Sequence, residues 1–193
     1  MWLLAIAQAL SPNPAPLSLA ETIASLDLAN CSHQTPCEGT VGGIEYDVSS
    51  PTTASFKAGS EWSVWIMTDE FTDEYTCVLR TARGFMTAQL PEVFMTLHAR
   101  APTFSVFDTR SEPYPMSQML FRVDKKPVVS KREDLEMPES RANILLRQMK
   151  AGNELRIAYE TWPEQYREST VIDLSGFTSV FNAAETFCDS FSN

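Results

Sequence analysis

Residues 140–188 constrain this chain most, because they read as helix, strand, strand, helix and close on a cysteine. Residues 140–150 carry Ile144, Leu145 and Met149 on one helical face; Pro138 sits where the helix would begin and Gly152 where it would end. Residues 155–159 and 170–174 alternate apolar and polar as half-buried strands do. Ser175-Gly176-Phe177 then opens an apolar helix. Its Phe177, Val180, Phe181, Ala184 and Phe187 recur at helical spacing, the stripe of a helix that faces a core, and it carries Cys188. A chain that ends this way has a closing helix to bury and a sheet to bury it against.

Upstream, the pattern is β. Trp62, Val64 and Ile66 alternate with Ser63, Trp65 and Met67, which makes a strand with one fully apolar face. The acidic stretch 69–74 reads as a turn into a second strand through Cys77, Val78 and Leu79, so the two form a hairpin. Further strands are predicted at 93–99, 103–107, 119–123 and around Val128-Val129. Short strands at this spacing favour an antiparallel sandwich. Residues 20–30 have helix-like apolar spacing, 39–48 read as one glycine-interrupted strand, and 49–55 as a turn-rich link. The predicted class is therefore mainly β with flanking helices, α+β: an antiparallel β-sandwich with a C-terminal helix. Its parts are a leader (1–20), an N-terminal helix and cysteine loop (21–60), and the sandwich with its closing helix (61–193).

Four cysteines, Cys31, Cys37, Cys77 and Cys188, make an even set with no Cys-x-x-Cys, and only His33 and His98 accompany them. A zinc site is poorly supplied, and a disulfide framework is the better reading. Cys31 with Cys37 would close a short loop around Pro36 and leave Cys77 for Cys188; the rival pairings tie Cys188 to Cys31 or to Cys37. The first ten residues are apolar but too short to span a bilayer. They fit the core of a secretory signal, although only the α-amino group of Met1 supplies positive charge before them. Ser18-Leu19-Ala20 and Ala7-Gln8-Ala9 both offer small-x-small cleavage sites, the first giving a chain that starts at Glu21. A retained N-terminal anchor and an ordinary buried segment are the alternatives.

Charge narrows the partners. With 25 acidic against 15 basic residues the net charge is −10, which argues against nucleic acid and against anionic lipid headgroups. The acidic turn, with Asp69 and Asp73, offers carboxylates to a calcium ion but lacks the glycine and the spacing of a known loop; a solvated turn in which Asp69 or Thr72 caps backbone amides explains it as well. His98 has no nucleophile or carboxylate beside it in sequence, His33 lies inside the first cysteine loop, and there is no Gly-x-Ser-x-Gly elbow and no phosphate-binding glycine loop. No cofactor is expected. The aromatics are the stronger candidates. Trp62 and Trp65 are three apart, so on a strand they point to opposite faces, one to the core and the other outward. Trp162, ahead of Pro163 in a loop and followed by Tyr166, could serve as an interface anchor; core or edge packing is the alternative reading of these aromatics. Trp65, Trp162, Tyr166, Asp69 and Asp73 are the candidate binding residues.

Two stretches carry a resemblance. One is Trp62-Ser-Val-Trp-Ile-Met-Thr-Asp69-Glu-Phe-Thr-Asp73 with Cys77 after it. The other is Phe121-Arg-Val-Asp124, then Met149-Lys-Ala-Gly152, then Asp173-Leu-Ser-Gly-Phe177, ending at Cys188. Together they resemble the β-sandwich modules of the periplasmic invasion-associated locus B type, and equally the secreted accessory proteins of type VI secretion clusters. That resemblance implies a small periplasmic domain, and it carries over no catalytic residue. The expectation is a periplasmic or secreted, non-enzymatic binding or assembly subunit of a bacterial envelope, with a protein partner, and with membrane association only if the N-terminus is retained. The alternatives are a periplasmic hydrolase or inhibitor, in which His98 would join a carboxylate in a cleft, and an anchored subunit of a membrane complex.

Overall fold

A computed structural model describes residues 16–81, 92–97, 103–107, 113–163 and 165–191. The apolar run 1–10, the site Ala7-Gln8-Ala9 and His98 lie outside them. The chain is mainly β: two antiparallel sheets and a C-terminal helix, an α+β sandwich. The larger sheet has seven strands in chain order: β1 (Cys37–Val41), β2 (Ile44–Ser50), β3 (Thr53–Ala58), β4 (Ser60–Thr68), β5 (Tyr75–Thr81), β6 (Glu92–Leu97) and β7 (Phe104–Phe107). The smaller sheet is formed by β8 (Gln118–Val123), β9 (Val129–Arg132), β10 (Glu154–Glu160) and β11 (Arg167–Asp173), in the order β11-β10-β8-β9.

Helices join the two sheets. Among the described residues these are α1 (Leu19–Ala24), α2 (Glu139–Lys150) and α3 (Phe177–Phe191). Helix α3 packs on β3, β4 and β5 and against α1 and α2, while α2 packs on β8 and β9. The apolar stripe of α3 is buried as its spacing predicts, with Phe177, Val180, Phe181, Ala184 and Phe187 all in the core. Phe177 meets Trp62 of β4 at 4.9 Å between ring centroids. The sheets also touch directly: the Phe104 and Phe121 rings lie 6.3 Å apart, and Lys131 Nζ donates to the Phe104 carbonyl at 3.3 Å.

Two disulfides close the framework, Cys31–Cys37 and Cys77–Cys188. The second ties β5 to α3 across 111 residues of sequence. Disulfides persist in oxidising compartments, so the chain belongs to an extracytoplasmic setting. No helix of the described residues is long and apolar enough to cross a membrane.

Three local readings change. Residues 39–48 are a hairpin, not one strand: Gly42 and Gly43 both have positive φ (58° and 81°), the backbone that a two-residue turn between twisted strands requires. Residues 49–55 hold a turn only at 51–52, between the end of β2 and the start of β3. The helix expected over 20–30 is only α1, followed by a 3-10 turn at Leu28–Asn30. Strands β1 to β3 are hydrogen-bonded into the sheet that β4 continues, so residues 37–58 share one sheet with β4 to β7. At the start of α1, Ser18 and Glu21 form a reciprocal capping box, and Leu19 is buried against the core. Cleavage after Ala20 would remove both the cap and Leu19.

Candidate functional site

The candidate residues fall in two places. Trp65, Asp69 and Asp73 belong to the β4–β5 hairpin of the large sheet; Trp162 and Tyr166 belong to the β10–β11 turn of the small one. At the hairpin, the backbone engages the acidic turn. Asp69 accepts from the amides of Phe71 (2.8 Å) and Thr72 (3.2 Å), and Thr72 Oγ1 accepts from the amide of Glu74 (3.3 Å). Asp73 takes positive φ, and its amide donates to the Asp69 carbonyl. Among the described residues no group of three or more His, Cys, Asp or Glu could hold a metal ion. Trp65 faces outward, 40% exposed, as the alternation predicts, but the Arg80 guanidinium lies 3.5 Å from its ring centroid. Arg80 in turn donates to Ser63 Oγ at 3.0 Å. One face of Trp65 is therefore occupied by its own sheet.

The other place is built by register. β8 and β9 pair Gln118 with Arg132, β10 and β11 pair Glu160 with Arg167, and Leu120 opposes Ala158. Extending that antiparallel register by two residues sets Gln118 opposite Glu160. All four strands thus finish at one end of the sheet, and three connections cap that end: 113–117, 133–137 and 161–166. Backbone hydrogen bonds bind the connections together. The Tyr114 amide donates to the Glu160 carbonyl at 2.6 Å, Pro113 bridges Thr161, and the Glu133 amide donates to the Ser117 carbonyl at 2.9 Å. Within the turn, the amide and hydroxyl of Thr161 both donate to the Tyr166 carbonyl (2.9 and 3.2 Å), and the Gln165 amide donates back to Thr161. The Trp162–Pro163 bond is cis.

On this frame stand exposed apolar side chains. Trp162 is 50% exposed and Tyr166 70%, and the Trp162 ring meets that of Tyr114 at 5.2 Å, tilted by 39°. Met116 and Leu135, on the two neighbouring connections, are also more than half exposed. Tyr114, Met116 and Leu135 were not singled out in sequence, since only the sheet register brings their connections to the same end of the sheet as Trp162 and sets Tyr114 against it. The bracketing of Tyr114 by Pro113 and Pro115 is the one local signal that could have marked it.

Charged groups lie on the β9 side of this end. Arg132 and Asp134 form a two-point ion pair (2.5 and 2.7 Å), and the hydrogen bond from Arg132 holds the Asp134 carboxyl below its usual range. Beneath them Lys131 is buried at 7% exposure. Burial pushes its ammonium down, against the attraction of Glu133, Glu136 and Asp134, which raises it. These connections therefore present exposed aromatic and apolar side chains on a hydrogen-bonded backbone, an arrangement suited to contact with a partner group. No family model, no curated protein and no solved structure matches this chain.

Proposed function

We propose that this chain is a non-enzymatic binding or assembly subunit of a bacterial envelope, working in the periplasm or outside the cell, and that it engages a protein partner through the Tyr114–Trp162–Tyr166 ledge. The observation that carries the reading is the gathering of exposed aromatic and apolar side chains on three connections hydrogen-bonded to one another. Large aromatics held in place lose little conformational freedom when they bury area on binding, which is why Trp and Tyr dominate interface anchors. The two disulfides fit an oxidising compartment. The net charge of −10 argues for a protein partner over nucleic acid.

The test is crosslinking in the native host with the full chain and three variants. A partner band seen with the wild type and with Trp65→Ala, but lost with Trp162→Ala and Tyr166→Ala, supports the ledge. A band that all three variants retain sinks it.

A further inference from the structure

Among the described residues each sheet has two edge strands, and the unpaired backbone of an edge invites a further strand unless something blunts it. Three of these edges are blunted. β7 and β9 have four residues each, and Lys131 of β9 donates to the Phe104 carbonyl of β7 at 3.3 Å. β1 has five, begins at the Cys31–Cys37 disulfide and carries Gly39 at its centre. β11 has none of these features. It runs seven residues, Arg167–Asp173, paired with β10 without a register shift, and contains no proline, glycine or lysine. Its centre, Ser169-Thr170-Val171-Ile172, is rich in β-branched residues.

Hydrogen bonds just beyond its two ends fix which way its backbone faces. The Leu174 amide donates to the Asn153 carbonyl at 2.8 Å, and the Thr161 amide to the Tyr166 carbonyl at 2.9 Å. Both pairs continue the register that sets Glu154 against Asp173 and Glu160 against Arg167. Hydrogen-bonded pairs alternate along an antiparallel ladder, so Glu168, Thr170 and Ile172 bond to β10. Arg167, Ser169, Val171 and Asp173 therefore turn their N–H and C=O groups to the open side. Among the described residues no strand or other backbone group pairs with them there. Their side chains stand exposed on the outer face of the sheet, Val171 at 40%.

We propose that β11 pairs with β11 of a second copy of this chain, antiparallel about a two-fold axis at Thr170. In that register Arg167 faces Asp173 of the second copy, Ser169 faces Val171, and Thr170 faces Thr170. All four open-side residues then fall in hydrogen-bonded pairs, and the two small sheets become one of eight strands. Charge selects both the occupant and the register. The strand carries a base at one end and an acid at the other, so a reversed copy of itself matches both ends at once. A slip of two residues either way sets Arg167 against Val171, or Asp173 against Ser169, and loses both ion pairs. The hydrogen bonds of Ser175 hold the Asp173 carboxyl below its usual range, so it keeps its charge at neutral pH. A strand of seven residues spans only about 23 Å. The contact therefore belongs with the smaller interfaces, below about 1,200 Å², and the dimer is weak.

The measurement is sedimentation equilibrium of the full disulfide-bonded chain at about 0.15 M salt, where repulsion between two net charges of −10 is screened beyond about 8 Å. The average mass should rise from one chain toward two as concentration goes from roughly 10 µM to roughly 1 mM. Val171→Pro removes an N–H from the open side and none from the β10 ladder. The fold should persist and association weaken about tenfold or more. Arg167→Asp sets carboxylate against carboxylate at both ends of the dimer, and should weaken it roughly fivefold. Circular dichroism checks that each variant is folded. Amide exchange of the wild type, followed by NMR, reads the register without any substitution. The amides of Arg167, Ser169, Val171 and Asp173 should slow as concentration rises, while those of Glu168, Thr170 and Ile172 are protected throughout.

A chain that stays monomeric up to roughly 1 mM overturns the proposal and leaves this edge to a strand of some other protein. Association that folded Val171→Pro leaves intact overturns it too, as does association indifferent to Arg167→Asp. So does a rise in mass with no slowing at the four open-side amides, because the copies would then meet elsewhere.

Discussion

Trp62 and Trp162 each pack at a tilt against one other ring, at 4.9 Å from Phe177 and 5.2 Å from Tyr114, yet they stand in opposite surroundings. Trp62 is fully buried between β4 and α3; Trp162 stands half in solvent on a turn. Ring pairs of this kind contribute about 0.5 to 1.5 kcal/mol beyond their burial. The remaining difference is the area each removes from water. The buried pair joins sheet to helix and supports the fold. The exposed pair keeps unburied area, so the same contact serves stability in one place and, on the function proposed above, is open to recognition in the other.

The largest effects should come from the buried side of this comparison. Replacing Cys77 and Cys188 by alanine frees a constraint across 111 residues, worth about 5 kcal/mol in the chain-entropy model. Removing Cys31–Cys37, six residues apart, should cost about 2 kcal/mol by the same reasoning. Urea midpoints of the two variants test the order; equal losses would mean that loop length is not what the bonds contribute. Trp62→Ala should cost about 3 to 5 kcal/mol by opening a cavity under α3. Trp62→Phe should cost much less, because the buried indole N–H has no acceptor to lose. A Trp62→Phe cost as large as that of alanine would contradict the structure.

Leu19→Ala follows, at roughly 2 to 4 kcal/mol, since Leu19 is buried in the core. Intact-mass measurement of the native protein bears on the same point. A chain starting at Glu21 lacks both Leu19 and the Ser18 cap, and should be correspondingly less stable than one that keeps residue 18 onward. Trp162→Ala should cost only about 1 kcal/mol of stability, while abolishing the crosslink to a partner. A loss as large as that of Trp62→Ala would make Trp162 a packing residue and end the comparison.

The smallest effect is electrostatic. Glu21 is held below its usual range by the backbone and side-chain hydrogen bonds of Ser18. Its folded-state pKa is depressed, so the stabilisation is complete above the unfolded value of about 4.3 and fades as pH falls through the lower folded value. An NMR titration of the Glu21 carboxyl should place its midpoint below the ordinary one, and Ser18→Ala should return it there.

How much of this could be read from residue order varies with the kind of interaction. The helix over 140–150 matches α2 (Glu139–Lys150), and the closing helix from Phe177 is where its apolar stripe puts it. Their periodicity is strong because one face is buried along the whole element. Strand β4 was legible for the same reason. Strands β1 to β3 were less legible, because β1 has no fully buried position and two of the three inward positions of β3 are small alanines, Ala54 and Ala58. Partial burial at the edge of a sheet leaves weak alternation, so Gly42-Gly43 passed for an interruption of one strand.

The site divides likewise. Trp162 and Tyr166 were singled out from a local signal, an aromatic before proline with another close behind. Trp65 was rightly placed outward, but nothing local announced Arg80 over its ring. Tyr114, Met116 and Leu135 stand on connections remote from Trp162 in sequence.

Residue order by itself determined the mainly β class, the two terminal helices, the presence of a disulfide framework and the net negative charge. Each depends on composition or on periodicity within one element. Tertiary structure alone decided which cysteines pair, that α2 and α3 link the two sheets, and that the ends of four strands collect one apolar ledge. Those depend on strand register and helix docking, which bring together residues far apart in the chain, and no local pattern encodes their meeting.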